Sequence, residues 1–381
     1  MSYYVHDRYG FSKLILTHYN DSKNVENNKR NKQSRRIFNI MTKEFQRNLR
    51  RKLAPYEKAE LSKSIWQIIN TIIPFLLLWY LAYKSLSLSY FITFLLIIPT
   101  AGLLIRIFII FHDCCHMSFF KNKRANEIVG TITGILTLFP YKKWRHDHNV
   151  HHATSGNLNK RGVGDIWVMT VEEYQKASVR QRFAYQFYRN PFVLFILGPF
   201  YLILISNRMN RKKARMEERL DTYLTNVAIV CLYGIMCWLI GWQSFLMIQG
   251  PIVFIASALG VWLFYIQHHF EDSYFEEDPE WDYVKAAVEG SSFYKLPKWA
   301  QWITGNIGYH HVHHLSPRVP NYYLEDVHNN NSELNSVPTI TVRRSLKALR
   351  YRLWDERNKQ FISFQDIKKQ AVKHKPSQKI G

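Results

Sequence analysis

The stretch Arg106-Ile-Phe-Ile-Ile-Phe111 runs directly into His112-Asp113-Cys114-Cys115-His116. A hydrophobic segment of membrane length therefore ends on two histidines four residues apart. On a helix, positions i and i+4 share one face, a turn apart. The pair is placed to hold one metal ion, or two adjacent ones, where the chain leaves the lipid. A single pair of this kind is commonplace, and its weight depends on what the rest of the chain supplies.

Working outward, the apolar runs at residues 65–86 and 89–111 each approach the ~20 residues that cross a bilayer's hydrocarbon. Pro74 and Pro99 are tolerated inside such helices, and Lys84 is the only charge near the turn between them. A second pair of runs covers residues 224–241 and 245–267, joined without charge at Gly241-Trp242-Gln243. Two shorter stretches, Ile128 to Tyr141 and Phe192 to Ser206, are expected to be interfacial or re-entrant rather than spanning. Amphipathic helical patterns recur at Trp281 to Val288 and Thr341 to Trp354. The expected fold is an all-α integral membrane protein: four transmembrane helices in two hairpins, interfacial or re-entrant helices, and a cytosolic helical cap carrying a di-metal site. Residues 1–64 read as a basic N-terminal arm, 65–355 as the membrane domain and 356–381 as a basic tail.

Lys and Arg number 51 against 29 Asp and Glu in 381 residues, a net charge of +22. They fill the arm, the middle region and the tail, and are nearly absent from the apolar runs and their short links. This is the positive-inside pattern and not a nucleic-acid-binding stripe. It predicts a multi-pass protein of the cell membrane with both termini and the middle region cytoplasmic. The 11 Trp, 23 Tyr and 24 Phe suit a chain with two lipid–water boundaries. Asn24 to Arg36 is too polar to build a core, so disorder is expected there. No signal-peptide pattern follows Met1, and Met41 is an alternative start. The four cysteines form no disulfide pattern and are expected to be reduced thiols.

Sixteen histidines are present, and most are clustered. His148, His151 and His152 stand at i, i+3 and i+4, as do His310, His313 and His314, so each trio shares one helical face. His268 follows the fourth apolar run. With His112 and His116, nine imidazoles are predicted on one side of the membrane. They exceed one metal's needs and suit two ions of four or five ligands each, drawn from Fe, Zn, Cu or Ni. Separate roles as pH sensors or helix caps would explain any one cluster, but not all of them at the ends of spans. Asp113, Asp147, Asp165, Glu271, Asp272 and Glu289 are candidates to accept the outer ring N–H of a ligating histidine, which fixes its tautomer. Asn306, one turn before His310, is a candidate to hold a metal-bound water.

His112-x-x-x-His116, His148-x-x-His151-His152 and His310-x-x-His313-His314, with apolar runs between them, resemble the three histidine boxes of the membrane fatty acid desaturases. Gln267-His268 resembles that family's additional histidine. The likeness runs from about Ile65 to Trp354. It is closest to the bacterial acyl-lipid type, in particular the delta-5 phospholipid desaturases, in Phe111-His-Asp-Cys-Cys-His, His151-His-Ala-Thr-Ser and Gly305-Asn-Ile-Gly-Tyr-His-His-Val-His-His-Leu-Ser-Pro. The resemblance implies that the nine histidines bind two iron ions. It also implies that the enzyme uses O2 and two electrons to insert a cis double bond into lipid-linked acyl chains, a role tied in such enzymes to membrane fluidity in the cold. His269 and His311 are extra histidines, leaving two candidates at each of those positions.

An unactivated C–H bond offers acid–base side chains nothing to grip, so a redox metal and O2 are required. No cytochrome b5 module is recognisable and no GxGxxG loop follows a strand. Electrons are then expected from a separate protein, by resemblance ferredoxin or flavodoxin. Lys142, Lys143, Arg145, Lys160 and Arg161 would attract such an acidic partner. With the metal ions just beyond the membrane surface, the double bond is expected near the carboxyl end of the chain. A related di-iron hydroxylase or ketolase would share the boxes. A metal transporter would place ionisable residues along its spans, and here the spans hold almost none.

Overall fold

The computed structural model describes Glu44 and residues 46–373; the segment Asn24 to Arg36 and Met41 lie outside the described residues. Among the described residues, four helices are long and apolar enough to cross a membrane: α1 (Leu61–Ser85), α2 (Tyr90–Cys115), and, after α3 (Lys123–Thr137) and α4 (Tyr141–Thr154), α5 (Met216–Ile240) and α6 (Trp242–His268). They form the two expected hairpins. Ser89 caps α2 by accepting from the Phe91 N–H at 3.2 Å, and Ser85 Oγ meets Thr93 Oγ1 at 2.8 Å across the first turn. The second turn is Gly241 alone, at φ +83°.

α2 is the core of the molecule. From Thr100 to Cys115 every side chain but Phe108 is buried, among α1, α3, α4 and α6. α1 and α5 show the opposite: Trp66, Leu76, Val230 and Trp238 are exposed. Large apolar side chains in such numbers on long helices are faces for lipid.

The helices overrun the expected bounds. α1 starts at Leu61 and α2 continues to Cys115, while α5 starts at Met216 and α6 at Trp242. Hydrophobicity marks only the lipid-crossing part. The polar extension of α5 is held by side chains: Asp221 accepts from the Lys142 N–H at 2.8 Å, and Glu218 pairs with Arg211 at 2.8 Å.

The first short apolar stretch does not cross. α3 reverses at Leu138, whose φ is +68°, and α4 returns from Tyr141. The histidines on either side of this hairpin meet, which a crossing would forbid. Around Phe192 to Ser206, Val179–Tyr188 and Val193–Arg208 form a broken pair bent by 63°, with Phe192, Phe200 and Leu204 exposed along it.

The cap adds two small sheets that periodicity did not predict. β1 (Met169–Thr170) pairs in parallel with β4 (Leu353–Asp355), and β4 pairs antiparallel with β5 (Gln360–Ile362). β2 (Phe293–Lys295) pairs in parallel with β3 (Thr339–Thr341). The expected helix from Thr341 to Trp354 stops at Ala348, and Leu353 and Trp354 become a fully buried strand. Tertiary burial overrides helical propensity there. Described parts of the expected arm and tail pack against the rest of the fold. Leu49 and Leu53 are buried beside Tyr283 and Leu315, Glu57 accepts from Ser316 Oγ at 2.8 Å, and the Phe361 N–H donates to the Glu271 carbonyl at 2.8 Å.

Gly305 holds φ +51° against α2, where an added Cβ would lie 2.6 Å from Ile109 Cγ2. Gly305→Ala combines left-handed strain with overpacking and is expected to cost about 2–4 kcal/mol. Thermal unfolding in detergent, followed by tryptophan fluorescence, should show the lowered midpoint; an unchanged midpoint would contradict this packing.

Candidate metal centre

Nine histidines converge where α2 and α6 end. α2 supplies His112 and, one residue past its end, His116; α4 supplies His148, His151 and His152; α6 supplies His268; and α7 (His310–Leu315) supplies His310, His313 and His314. The helical spacing foreseen for each trio is what turns its rings to one side. His112, His116, His148, His152 and His313 form one group and His151, His268 and His314 another, with donor atoms in each within 4.8 Å of one another. His310 joins the second group, its Nε2 lying 2.9 Å from that of His268.

The separations carry chemical meaning. Nε2 atoms face Nε2 atoms at 3.0 Å for His112 and His148, 2.9 Å for His152 and His313, and 3.2 Å for His151 and His268. Two nitrogens bound at right angles to a first-row metal, each ~2.1 Å from it, lie about 3 Å apart. The outer nitrogens point the same way. His112 Nδ1 meets Asp113 Oδ1 at 3.1 Å, His151 Nδ1 meets Asp165 Oδ1 at 2.6 Å, and His268 Nδ1 meets the Gly290 carbonyl at 3.2 Å. Each contact puts the ring proton on Nδ1 and leaves Nε2 with a bare lone pair. His151 and His268 thus direct lone pair at lone pair, an arrangement that a shared cation relieves. The Nε2 atoms of His116 and His314 are buried without a hydrogen-bond partner. Donor type, number, spacing and tautomer all fit a pair of transition-metal ions.

Electrostatics keep six of the donors neutral. Burial pushes His116, His148, His152, His310, His313 and His314 well below the usual imidazole range, and neighbouring imidazoles push them further. Neutral imidazole is the form that binds metal.

The extra histidines are placed elsewhere. His269 stacks on Tyr265 at 4.9 Å and 12°, and His311 Nε2 faces His328 Nδ1 at 3.0 Å, so His268 and His310 are the members in the cluster. Among the acids, Asp113 and Asp165 reach cluster histidines, as above. Asp147 instead pairs with Arg211 at 3.1 Å, and Asn306 Nδ2 donates to the Asn321 carbonyl at 3.3 Å. Glu271 bonds Tyr351 through its side chain, and Asp272 lies near that tyrosine. Burial raises the Glu289 carboxyl, beside Lys285. Asp147, Asn306, Glu271 and Glu289 thus have their partners away from the cluster rings.

Sequence reasoning missed two supports. Trp144 stacks on His148 at 4.1 Å and 24°, in a wall with Phe108, Phe111 and Phe139; its position one turn before His148 was a readable signal. Asn321 donates to Asp113 Oδ2 from its backbone N–H at 2.7 Å and from Nδ2 at 2.9 Å, fixing the carboxylate that orients His112. Nothing local in the sequence marks it, 208 residues away.

A family model described as fatty acid desaturase matches residues 85–336. The chain belongs to the fatty acid desaturase family. It is 60% identical over 331 residues to a fatty acid desaturase of Bacillus subtilis, covering 87% of this chain and 93% of that protein. It is 25% identical over 230 residues to the sn-1 oleoyl-lipid 12-desaturase of Synechocystis, covering 58% of this chain and 63% of that one. It is 28% identical over 237 residues to the chloroplastic omega-6 fatty acid desaturase of Arabidopsis thaliana, and spans about half of that relative's length, 49%. Membership makes this a multi-pass membrane oxidoreductase, a fatty acid desaturase, with histidine groups able to hold metal.

The contacts of the acids separate their roles. Asp165→Asn should lower metal affinity about 10–100-fold, read as metal content after dialysis against a chelator, whereas Asp147→Asn should retain metal at the parent level. Equal retention by both variants would refute this division. In the metal-free protein, His116, His148, His152, His310, His313 and His314, and the buried His269 and His311, stay unprotonated where the unfolded chain takes up protons. The unfolded state therefore binds more protons below about pH 6.5, so thermal stability should fall as pH drops through that value and stay flat above it. A flat profile down to lower pH would sink the assignment.

Proposed function

We propose that this chain is an O2-dependent di-iron acyl-lipid desaturase that inserts a cis double bond near the carboxyl end, at the delta-5 position, of saturated acyl chains in membrane phospholipids. The nine histidines are its ligands. His112, His116, His148, His152 and His313 serve one ion, and His151, His268, His310 and His314 the other. The bound irons supply the oxidising power, from O2 and two electrons, that breaks unactivated C–H bonds.

The single observation behind this reading is the meeting of all nine imidazoles at the rim of the apolar helices. The protein's own residues do the rest. Asp113, Asp165 and the Gly290 carbonyl hold the rings in the ligating tautomer. Trp144 and the phenylalanines around it exclude water beside His148. A site at the ends of α2 and α6 meets a lipid's acyl chain close to its headgroup, which supports oxidation toward the carboxyl end.

Orientation follows from charge. The starts of α1 and α5 and the ends of α2 and α6 lie at the cap, together with most Lys and Arg, while the opposite turns carry almost no charge. The positive-inside bias supports a cytoplasmic cap, termini and metal centre in the cell membrane. Electrons come from ferredoxin or flavodoxin. The basic residues first assigned to that partner are partly engaged: Lys160 pairs with Asp278 at 2.9 Å, Arg161 bonds Glu173, and Lys143 is buried on the Ser206 carbonyl. Residues 65–355 form the desaturase domain, with Leu49, Leu53 and Glu57 from the preceding segment and Phe361, Ile362 and Ile367 from the following one packed onto it.

Expression in a host lacking unsaturated fatty acids, followed by mass-spectrometric location of the double bond, tests the proposal. The expected product has lost two hydrogens near the carboxyl end of a phospholipid acyl chain, and His148→Ala should yield none. A hydroxylated product, a double bond near the methyl end, or an active His148→Ala protein would overturn it.

A further inference from the structure

Two short helices flank the spans beneath the metal centre: Lys298–Ile303, which follows β2, and Val342–Ala348, which follows β3. The parallel β2–β3 pair, with Lys295 opposite Thr341, sets them side by side. Their depth can be read from contacts. The Trp302 carbonyl accepts from Arg106, six residues before His112 on α2. Tyr294 Oη lies 3.5 Å from Trp262 Nε1, six residues before His268 on α6, and 3.2 Å from Ser345 Oγ. Six helical residues span ~9 Å, so both helices sit on the bilayer side of the histidines, alongside the spans and not at the far end of the cap.

Their outer faces are basic and apolar together. Lys295, Lys298, Arg343, Arg344 and Lys347 are exposed, between Trp299 (69% exposed) and Leu346 (60%). Residues 290–324 and 336–354 contain no Asp or Glu. Among the described residues, none of the five cations has a carboxylate within ion-pair distance. Beneath them the Arg106 guanidinium stacks on the Trp302 ring at 4.1 Å. Tryptophan and basic residues at this depth are the side chains that meet lipid headgroups.

We propose that this platform binds the anionic headgroups of phospholipids and thereby makes anionic phospholipids the preferred substrates. The inference rests on the acyl-lipid reading above. Charge complementarity and depth select the occupant. An acidic protein would dock clear of the bilayer, whereas this surface lies beside the spans and carries exposed tryptophan.

The test uses the full-length protein in nanodiscs holding equal phosphatidylglycerol and phosphatidylethanolamine with matched acyl chains. Two quantities are read: the lipids retained on the protein by native mass spectrometry, and the ratio of initial desaturation rates on the two lipids. The expected result is about a fivefold enrichment of phosphatidylglycerol, the effect of one effective cation–headgroup contact. It should be lost in R343Q/R344Q/K347Q and weakened in the wild-type protein by added salt, a measurement that needs no variant to fold. Equal retention of both lipids by the wild-type protein, or a variant that keeps the preference, overturns the proposal. So does a variant with intact lipid preference whose defect is reduction by an acidic donor protein. Selective retention without desaturation of any lipid upholds the platform and refutes the acyl-lipid reading instead.

Discussion

Nine imidazoles packed ring against ring define the problem this fold solves. With protons fixed on the outer nitrogens of His112, His151 and His268, the inner nitrogens confront one another at about the spacing of adjacent ligands on a metal ion. Without a cation, such a cluster is a concentration of unshared electron pairs in a medium that burial has stripped of water. The arrangement persists because it is over-determined from outside. Asp113 is held by Asn321, Asp165 follows Gly164 at a φ of +74°, and the Gly290 carbonyl is presented by the turn after Tyr283–Val288. At Gly164 an added Cβ would meet the Asp147 carbonyl oxygen at 2.8 Å and His151 Cβ at 3.1 Å, so the loop bearing Asp165 lies directly on α4.

The long helices are the means of bringing those rings together. α2 is enclosed by protein and carries His112 rigidly; α1 and α5 spend their apolar surface on lipid. Arg106 is the exception inside α2. Its guanidinium is buried and answered by Thr71 Oγ1 at 3.1 Å, the Trp302 carbonyl and the Trp302 ring. A cation at that depth is costly unless it has such partners. Here it ties a spanning helix to the cap on the approach to His112. The α3–α4 reversal does the complementary work, returning three cluster histidines to the side from which the chain departed.

Much of this was legible because two periodicities were strong. Runs of about twenty apolar residues announce spans, and histidines at i, i+3 and i+4 announce a shared face. The overrun of α5 to Met216 was not legible, since its first turns are polar and are held by Arg211 and Lys142, residues no hydrophobic pattern links to it. Nor were the strands Leu353–Asp355 and Gln360–Ile362, which are too short to show alternation and gain their stability from burial against Phe275. Proximity in sequence misled in one way: Asp147 adjoins His148 and its boxmates, yet successive helical residues point apart, and its side chain turns to Arg211. Asp113 also adjoins its histidine but reaches back to it at the last turn of α2.

The clustered histidines are also ordered in time. A ribosome that has released the chain through His268 has delivered six of the nine imidazoles, and the trio from His310 to His314 comes only after the whole β2 region. Before then the first group lacks His313 and the second lacks two members. The strand that closes behind His269, through Phe361, emerges later still. A chain that stops short of His310 can therefore be threaded through its bilayer and still lack a complete set of imidazoles in either group, so closure of both groups waits on the residues that follow β2.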